Sequence, residues 1–185
     1  MKLNLGCGKT KQEGYVNIDV NPAVEPDVIF DFTFATLPYK DSSIEEVTMF
    51  HALEHISRDR HQLVICEINR VLKLGGTFIV SFPDAERCCK NFTENKHGMR
   101  EYWEQTILGR GTTIWDWHRS LVVTTEFLSF LREFGFGKYR VMEETGSSWN
   151  TVIQAEKTFT PTQVADILTR SLNLNASTRH DSPTR

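Results

Sequence analysis

Apolar and polar positions along the chain follow two periods, one of two residues and one close to four. Lys2–Leu5, Tyr15–Asp19 and Val28–Asp31 are short runs rich in aliphatic, β-branched or aromatic residues, each ending in a carboxylate or a glycine turn, and they predict three strands. Glu46–Phe50 predicts a fourth. A helix is expected to start near Ser57 or Asp59, to carry Val64, Ile68, Val71 and Leu72 on one face, and to stop at Gly75-Gly76. Thr77–Phe82 predicts a fifth strand. Glu126–Phe134 predicts a helix opened by Thr124-Thr125 and closed by Gly135, and Tyr139–Met142 and Thr151–Ala155 predict two last strands joined by a polar loop. Strands alternating with helices imply an α/β three-layer sandwich on a mostly parallel, seven-stranded sheet.

The rhythm breaks between Asp84 and Ser120, a polar stretch studded with Tyr102, Trp103, Trp115, Trp117 and His118. A structureless connection of that length is uncommon in a compact domain, so an inserted, partly helical lid or substrate wall is expected there. Packed helical decoration is the alternative. Thr160-Pro161-Thr162-Gln163 has the form of a capping box, and Val164, Ile167, Leu168 and Leu172 follow at helical spacing. The expected organisation is therefore a domain over residues 1–157, with residues 84–120 inserted, and a terminal helix and polar tail over residues 158–185. The apolar stripe of that helix would dock on its own domain or on a second copy, which makes a homodimer an open expectation.

Composition narrows the partners. With 185 residues, 39% of them hydrophobic and 24% charged, the chain has enough apolar residues for one core and no continuous apolar run that would span a bilayer. Met1-Lys2-Leu3-Asn4-Leu5 runs straight into glycines without the succession a secretion signal needs, so a cytoplasmic protein with no membrane association is expected. Cys7, Cys66, Cys88 and Cys89 form no regular framework and suit reduced thiols. A formal charge of −3 gives no field that would gather nucleic acid, which leaves a small molecule as the expected partner.

The sharpest local signal is Leu3-Asn4-Leu5-Gly6-Cys7-Gly8, a strand that enters a Gly-x-Gly turn, where a ligand can approach backbone with no Cβ in the way. A dinucleotide fingerprint has a third glycine three positions on, and that position is Lys11. Asp19 stands at the end of the second strand, placed to accept both hydroxyls of a ribose. Asp31-Phe32 at the end of the third offers an acceptor for an exocyclic amine and an aromatic face for a purine. Each alone is as well explained by a turn or a solvated strand end. Together they converge on the carboxyl edge of a parallel sheet, where open α/β sheets bind ligands.

That run, with Gly14-Tyr15-Val16-Asn17-Ile18-Asp19, Leu37-Pro38-Tyr39-Lys40-Asp41-Ser42-Ser43, His51-Ala52-Leu53-Glu54-His55-Ile56 and Arg70-Val71-Leu72-Lys73-Leu74-Gly75-Gly76, resembles the class I S-adenosylmethionine-dependent methyltransferases. Within them the chain looks most like small members associated with cell-surface polysaccharide or secondary metabolism. The resemblance implies a Rossmann-like fold and S-adenosyl-L-methionine as cofactor. It also implies a cofactor site of Asn4, Gly6, Cys7, Gly8, Asp19, Val20, Asp31, Phe32 and His51. Gly6 and Gly8 would lie against the methionine part, Asp19 on the ribose, Asp31 and Phe32 on adenine, and the His51 backbone beside the sulfonium. Three departures stand out. Asn4 replaces the usual acid, the eleven positions from Gly8 to Asp19 leave room for little or no first helix, and the first strand begins at the initiator Met with no helical cap before it. Substrate selection is then expected from residues 84–120.

For a hydroxyl acceptor one proton must be taken, and His118, His51 and Asp84 are the candidate bases, with structural hydrogen bonding as the alternative for each. His51-x-x-Glu54-His55 has metal-ligand spacing, but relatives without a metal carry the same form, where Glu54 and His55 support the loop, and no metal is expected. His61 and His97 are expected on exposed surface. No Asp/Asn-Pro-Pro-aromatic run follows the fourth strand and no Pro-Cys pair exists, so base-amine and pyrimidine-carbon methylation are disfavoured. The expected function is methyl transfer to a small acceptor, a sugar hydroxyl or a related metabolite. The alternatives are a non-catalytic module that binds S-adenosylmethionine or S-adenosylhomocysteine, and a nicotinamide-dependent oxidoreductase.

Overall fold

The computed structural model describes residues 1–159. The predicted terminal helix and the tail lie outside the described residues. One seven-stranded sheet runs in the order β3-β2-β1-β4-β5-β7-β6. Its strands are β1 (Lys2–Leu5), β2 (Val16–Asp19), β3 (Val28–Ile29), β4 (Ile44–Phe50), β5 (Leu72–Pro83), β6 (Phe136–Glu144) and β7 (Ser147–Lys157). All pairings from β3 through β5 are parallel, and β7 is antiparallel to both β5 and β6. The α-helices are α1 (Arg58–Val71), α2 (Ala85–Thr93), α3 (Arg100–Leu108) and α4 (Thr124–Glu133). This is the mostly parallel, seven-stranded sheet the sequence pattern predicts, in the Rossmann-like arrangement the resemblance implies. No helix among the described residues is long and apolar enough to cross a membrane.

The core follows the alternation. Leu3, Leu5, Val47, Met49, Phe78, Val80, Phe82, Ile153 and Ala155 are buried on one side of the strands, against Val64, Ile68 and Val71 of α1 and Phe127 and Leu131 of α4. The opposite side is more polar. There the connection from β1 to β2 holds no helix, as the eleven-residue interval requires. Instead Gln12 donates to the Thr48 hydroxyl at 2.9 Å and the Tyr15 hydroxyl meets the Glu46 carboxylate. Farther along that side Thr77 and Ile79 of β5, level with Glu156 and Gln154 of β7, stay half-exposed.

The connection from β3 to β4 also lacks an α-helix and is held by a buried ion pair. Glu67 of α1 accepts the Leu37 backbone N–H at 2.8 Å and both Nε and Nη2 of Arg70 at 2.8 Å. Arg70 in turn donates to the Leu37 and Tyr39 carbonyls and to Asp41. This accounts for the Leu37–Asp41 stretch as a fastening, since it ties the crossover to a buried carboxylate.

Boundaries differ from expectation in three places. β5 begins at Leu72, directly after α1, because Gly75 and Gly76 form an irregularity inside the strand, where the register to β4 jumps between Ile44 and Glu46. β6 and β7 are longer than their apolar runs, since edge pairing extends into polar residues. The loop expected between them is a tight turn in which Glu144 pairs with Ser147. β3 is only two residues long, so Asp31 and Phe32 lie in the connection beyond it.

Candidate active site

The sheet order reverses between β1 and β4, and at that switch point the two strands are followed directly by Gly6 and His51. Gly6 has a left-handed φ of 67°, and a Cβ there would stand 2.5 Å from the Ala52 Cβ, so the turn admits only glycine. The Gly6 and Cys7 N–H groups both donate to the Ile18 carbonyl, and the Gly8 N–H donates to an Asp19 carboxylate oxygen at 2.8 Å. His51 also has a left-handed φ, 49°, unusual for a non-glycine residue, and its N–H is fixed by the Ser81 carbonyl.

A cavity of about 460 Å³ opens over this edge, and Gly6, Gly8, Asp19, Val20, Asp31, Phe32 and His51 all line it. Asn4 and Cys7 do not. Asn4 is buried in a polar cluster, donating to Asn17 at 2.9 Å and to the Thr10 carbonyl and accepting from Thr48, while burial raises the pKa of the Cys7 thiol. The chemistry of the seven that remain fits a nucleoside linked to an amino acid. No atom stands within 4 Å of a Cβ built on Gly8, which leaves backbone open to the cavity. Asp19 spends one lone pair of each oxygen on backbone N–H groups, of Gly8 and Asn21, and keeps others for hydroxyls. Phe32, 7% exposed, backs the floor.

A second cavity of about 430 Å³ adjoins the first, and His51, His55 and Asp116 line both. Its far wall comes from residues 84–120, which form α2, α3 and a return loop. Tyr102, Gln105, Thr106, Gly109, Arg110 and His118 line it, together with Trp149 and Asn150 of β7. Trp103 is buried and packs edge-on against Trp149 at 4.9 Å between ring centres, with Tyr102 edge-on to both, so α3 is fixed to the sheet through aromatic contact. The return loop doubles back tightly: the His118 N–H donates to the Leu108 carbonyl, and a Cβ on Gly109 would stand 1.9 Å from the Asp116 carbonyl oxygen. Its tip, Thr112–Asp116, closes over the first cavity.

The candidate bases part company here. Asp84 is buried, lines neither cavity, and spends one oxygen on capping α2 and the other on Thr124, so it is a structural residue and not a base. His51 has carboxylates on both ring nitrogens, Glu54 at 3.3 Å and Glu144 at 3.0 Å. Burial works against its charge, but the two carboxylates override it and lift its pKa to about 9, so this ring is a donor on both sides. His118 faces the second cavity, and burial lowers its pKa. His97 is exposed as expected, but His61 is buried, bonded to the Ile56 carbonyl and to Ser120. Glu144, Trp149 and Asn150 were outside the sequence reading of the site; the long interval from residue 51 concealed their approach through the β6–β7 turn.

Residues 17–80 match the family model of the methyltransferase domain. The chain has the Rossmann-like fold of S-adenosylmethionine-dependent methyltransferases. Its fold is shared with a Methanosarcina mazei S-adenosylmethionine-dependent methyltransferase, at 21% identity and a TM-score of 0.58 over 84% of this chain and 91% of that one. A Thermotoga maritima methyltransferase gives 17% and 0.59 over 84% and 81%, and one from Archaeoglobus fulgidus 17% and 0.59 over 84% and 85%. No curated protein matches the chain.

Proposed function

We propose that this methyltransferase domain transfers a methyl group from S-adenosylmethionine, held in the first cavity, to a hydroxyl of a small acceptor held in the second, a sugar or related metabolite. The observation that carries this is the shared wall: two cavities of small-molecule size meet at His51, His55 and Asp116, beside the switch point of the sheet. S-adenosylmethionine supplies an activated methyl group, so the protein's work is to align two partners and take one proton. Asp19 and Asp31 hold the nucleoside, and the Gly6–Gly8 backbone takes the amino-acid part. Tyr102 and Trp149 offer apolar faces to a sugar ring, with Gln105 and Arg110 as polar partners.

His118 lines the second cavity, where burial favours its neutral ring and so leaves a nitrogen able to accept the hydroxyl proton. A non-catalytic binding module would leave the second cavity without a use.

Calorimetric titration with S-adenosylmethionine, S-adenosylhomocysteine and NAD tests the cofactor. Saturable binding of the first two, lost in Asp19→Ala, and none of NAD is expected; silence from the first two overturns the proposal. A screen of hydroxylated acceptors with methyl-labelled cofactor then tests transfer.

A further inference from the structure

We propose that Glu54, His55 and His118 bind a divalent first-row metal ion of the zinc type in the acceptor cavity, next to the wall shared with the cofactor cavity. Their ligand atoms lie within 4.8 Å of one another. Atoms about 2.0–2.2 Å from one tetrahedral ion stand roughly 3.3–3.6 Å apart, so a bound ion draws the widest pair together by about 1–1.5 Å, within the reach of side-chain rotation.

Two further observations point to an ion. Glu54 is 3% exposed, and its Oε2 is buried with no hydrogen-bond partner, although Oε1 is bonded to His51. A buried carboxylate oxygen is expensive to leave unpaired. The ring contact between His55 and His118, 4.8 Å between centres, gives the histidines a packing role but does nothing for that oxygen.

The second observation concerns the outer atoms. His55 Nδ1 bonds the Trp117 carbonyl at 3.1 Å, so its imidazole keeps Nε2 free as a lone-pair ligand. Metal-ligating histidines are commonly oriented in this way. The Arg119 and Ser120 N–H groups also both donate to the Glu54 carbonyl, which locks the turn holding Glu54 and His55 against the strand of chain that holds His118.

Two imidazoles and one carboxylate suit zinc or a neighbouring transition ion better than magnesium or calcium, which favour all-oxygen sets. Three protein ligands also leave a coordination position open to the cavity. The use of that position rests on the proposed function. There the ion takes the acceptor hydroxyl and lowers its pKa, the proton leaves to water, and His118 serves as a ligand instead of a base.

The test needs neither cofactor nor acceptor. Chelator-stripped full chain is titrated with zinc by calorimetry and with cobalt by visible absorption, and the imidazole nitrogen signals are followed by NMR. One ion per chain is expected, with the His55 and His118 ring signals moving and that of exposed His97 unmoved. Glu54→Gln and His118→Asn are each expected to weaken binding at least tenfold. Absence of saturable binding by the wild-type chain, or saturation that leaves both ring signals unmoved, overturns the site. The NMR arm uses wild-type protein, so an unfolded variant does not decide the result. Because S-adenosylmethionine is absent throughout, failure of the methyl-transfer reading registers separately.

Discussion

Asp84 and Thr124 join the end of β5 to the start of α4: one Asp84 oxygen accepts both the Thr124 N–H at 3.0 Å and its hydroxyl at 2.6 Å. The other accepts the Arg87 N–H at 3.0 Å and caps α2. Asp84→Ala is expected to lower stability by about 2–4 kcal/mol, through loss of a cap and of charge-assisted bonds to buried donors. Burial pushes the Asp84 pKa up, but the Thr124 hydroxyl and the backbone N–H groups outweigh it, and the net shift is downward. The folded pKa then lies below the unfolded one, so the contribution is complete above about pH 4 and fades as pH falls through the folded value. Urea midpoints measured from pH 7 downward should therefore converge for wild type and variant in acid; a constant gap would remove Asp84 from the account.

Gly6→Ala forces a Cβ to within 2.5 Å of Ala52 on a left-handed backbone. A cost of about 2–3 kcal/mol in stability is expected from strain and overpacking together. Because the displaced turn floors the cofactor cavity, affinity for S-adenosylhomocysteine should fall at least tenfold. Calorimetry on the folded variant checks this, and unchanged affinity would separate the turn from the ligand.

Glu67→Ala removes the buried carboxylate of the pair, leaves half-buried Arg70 only exposed Asp41 as a counter-charge, and leaves the Leu37 N–H unpaired. Breaking a buried pair in this way costs about 3–5 kcal/mol. A double-mutant cycle with Arg70→Met measures the coupling, and near-additive losses would show that the pair contributes packing alone.

Much of this architecture was legible in the sequence, for physical reasons that differ by element. β1, β2 and β4 were found because buried parallel strands are short apolar runs, and α1 because its apolar stripe faces the sheet. The β5 start was missed because Gly75-Gly76 reads as a helix stop, while the helix had already ended at Val71. His61 was misplaced because one histidine on a helix carries no periodic signal. At the first cavity, strand ends pointed to the lining residues Gly6 and Asp19, whereas Asp31, also in the lining, sits in the connection beyond the two-residue β3. The second cavity depends on contacts such as Trp103 with Trp149 and His51 with Glu144, across intervals that periodicity does not measure.

The missing helix after Gly8 has an electrostatic consequence. Folds that bind dinucleotides aim the positive end of a helix at a pyrophosphate, and the partial charge there favours anions. Here the glycine turn passes into coil, and its N–H groups are spent on the Ile18 carbonyl and the Asp19 carboxylate. The floor of the cavity thus lacks a dipole end that would attract phosphate. For a ligand that carries a positive sulfur and no phosphate, this same omission removes a source of repulsion.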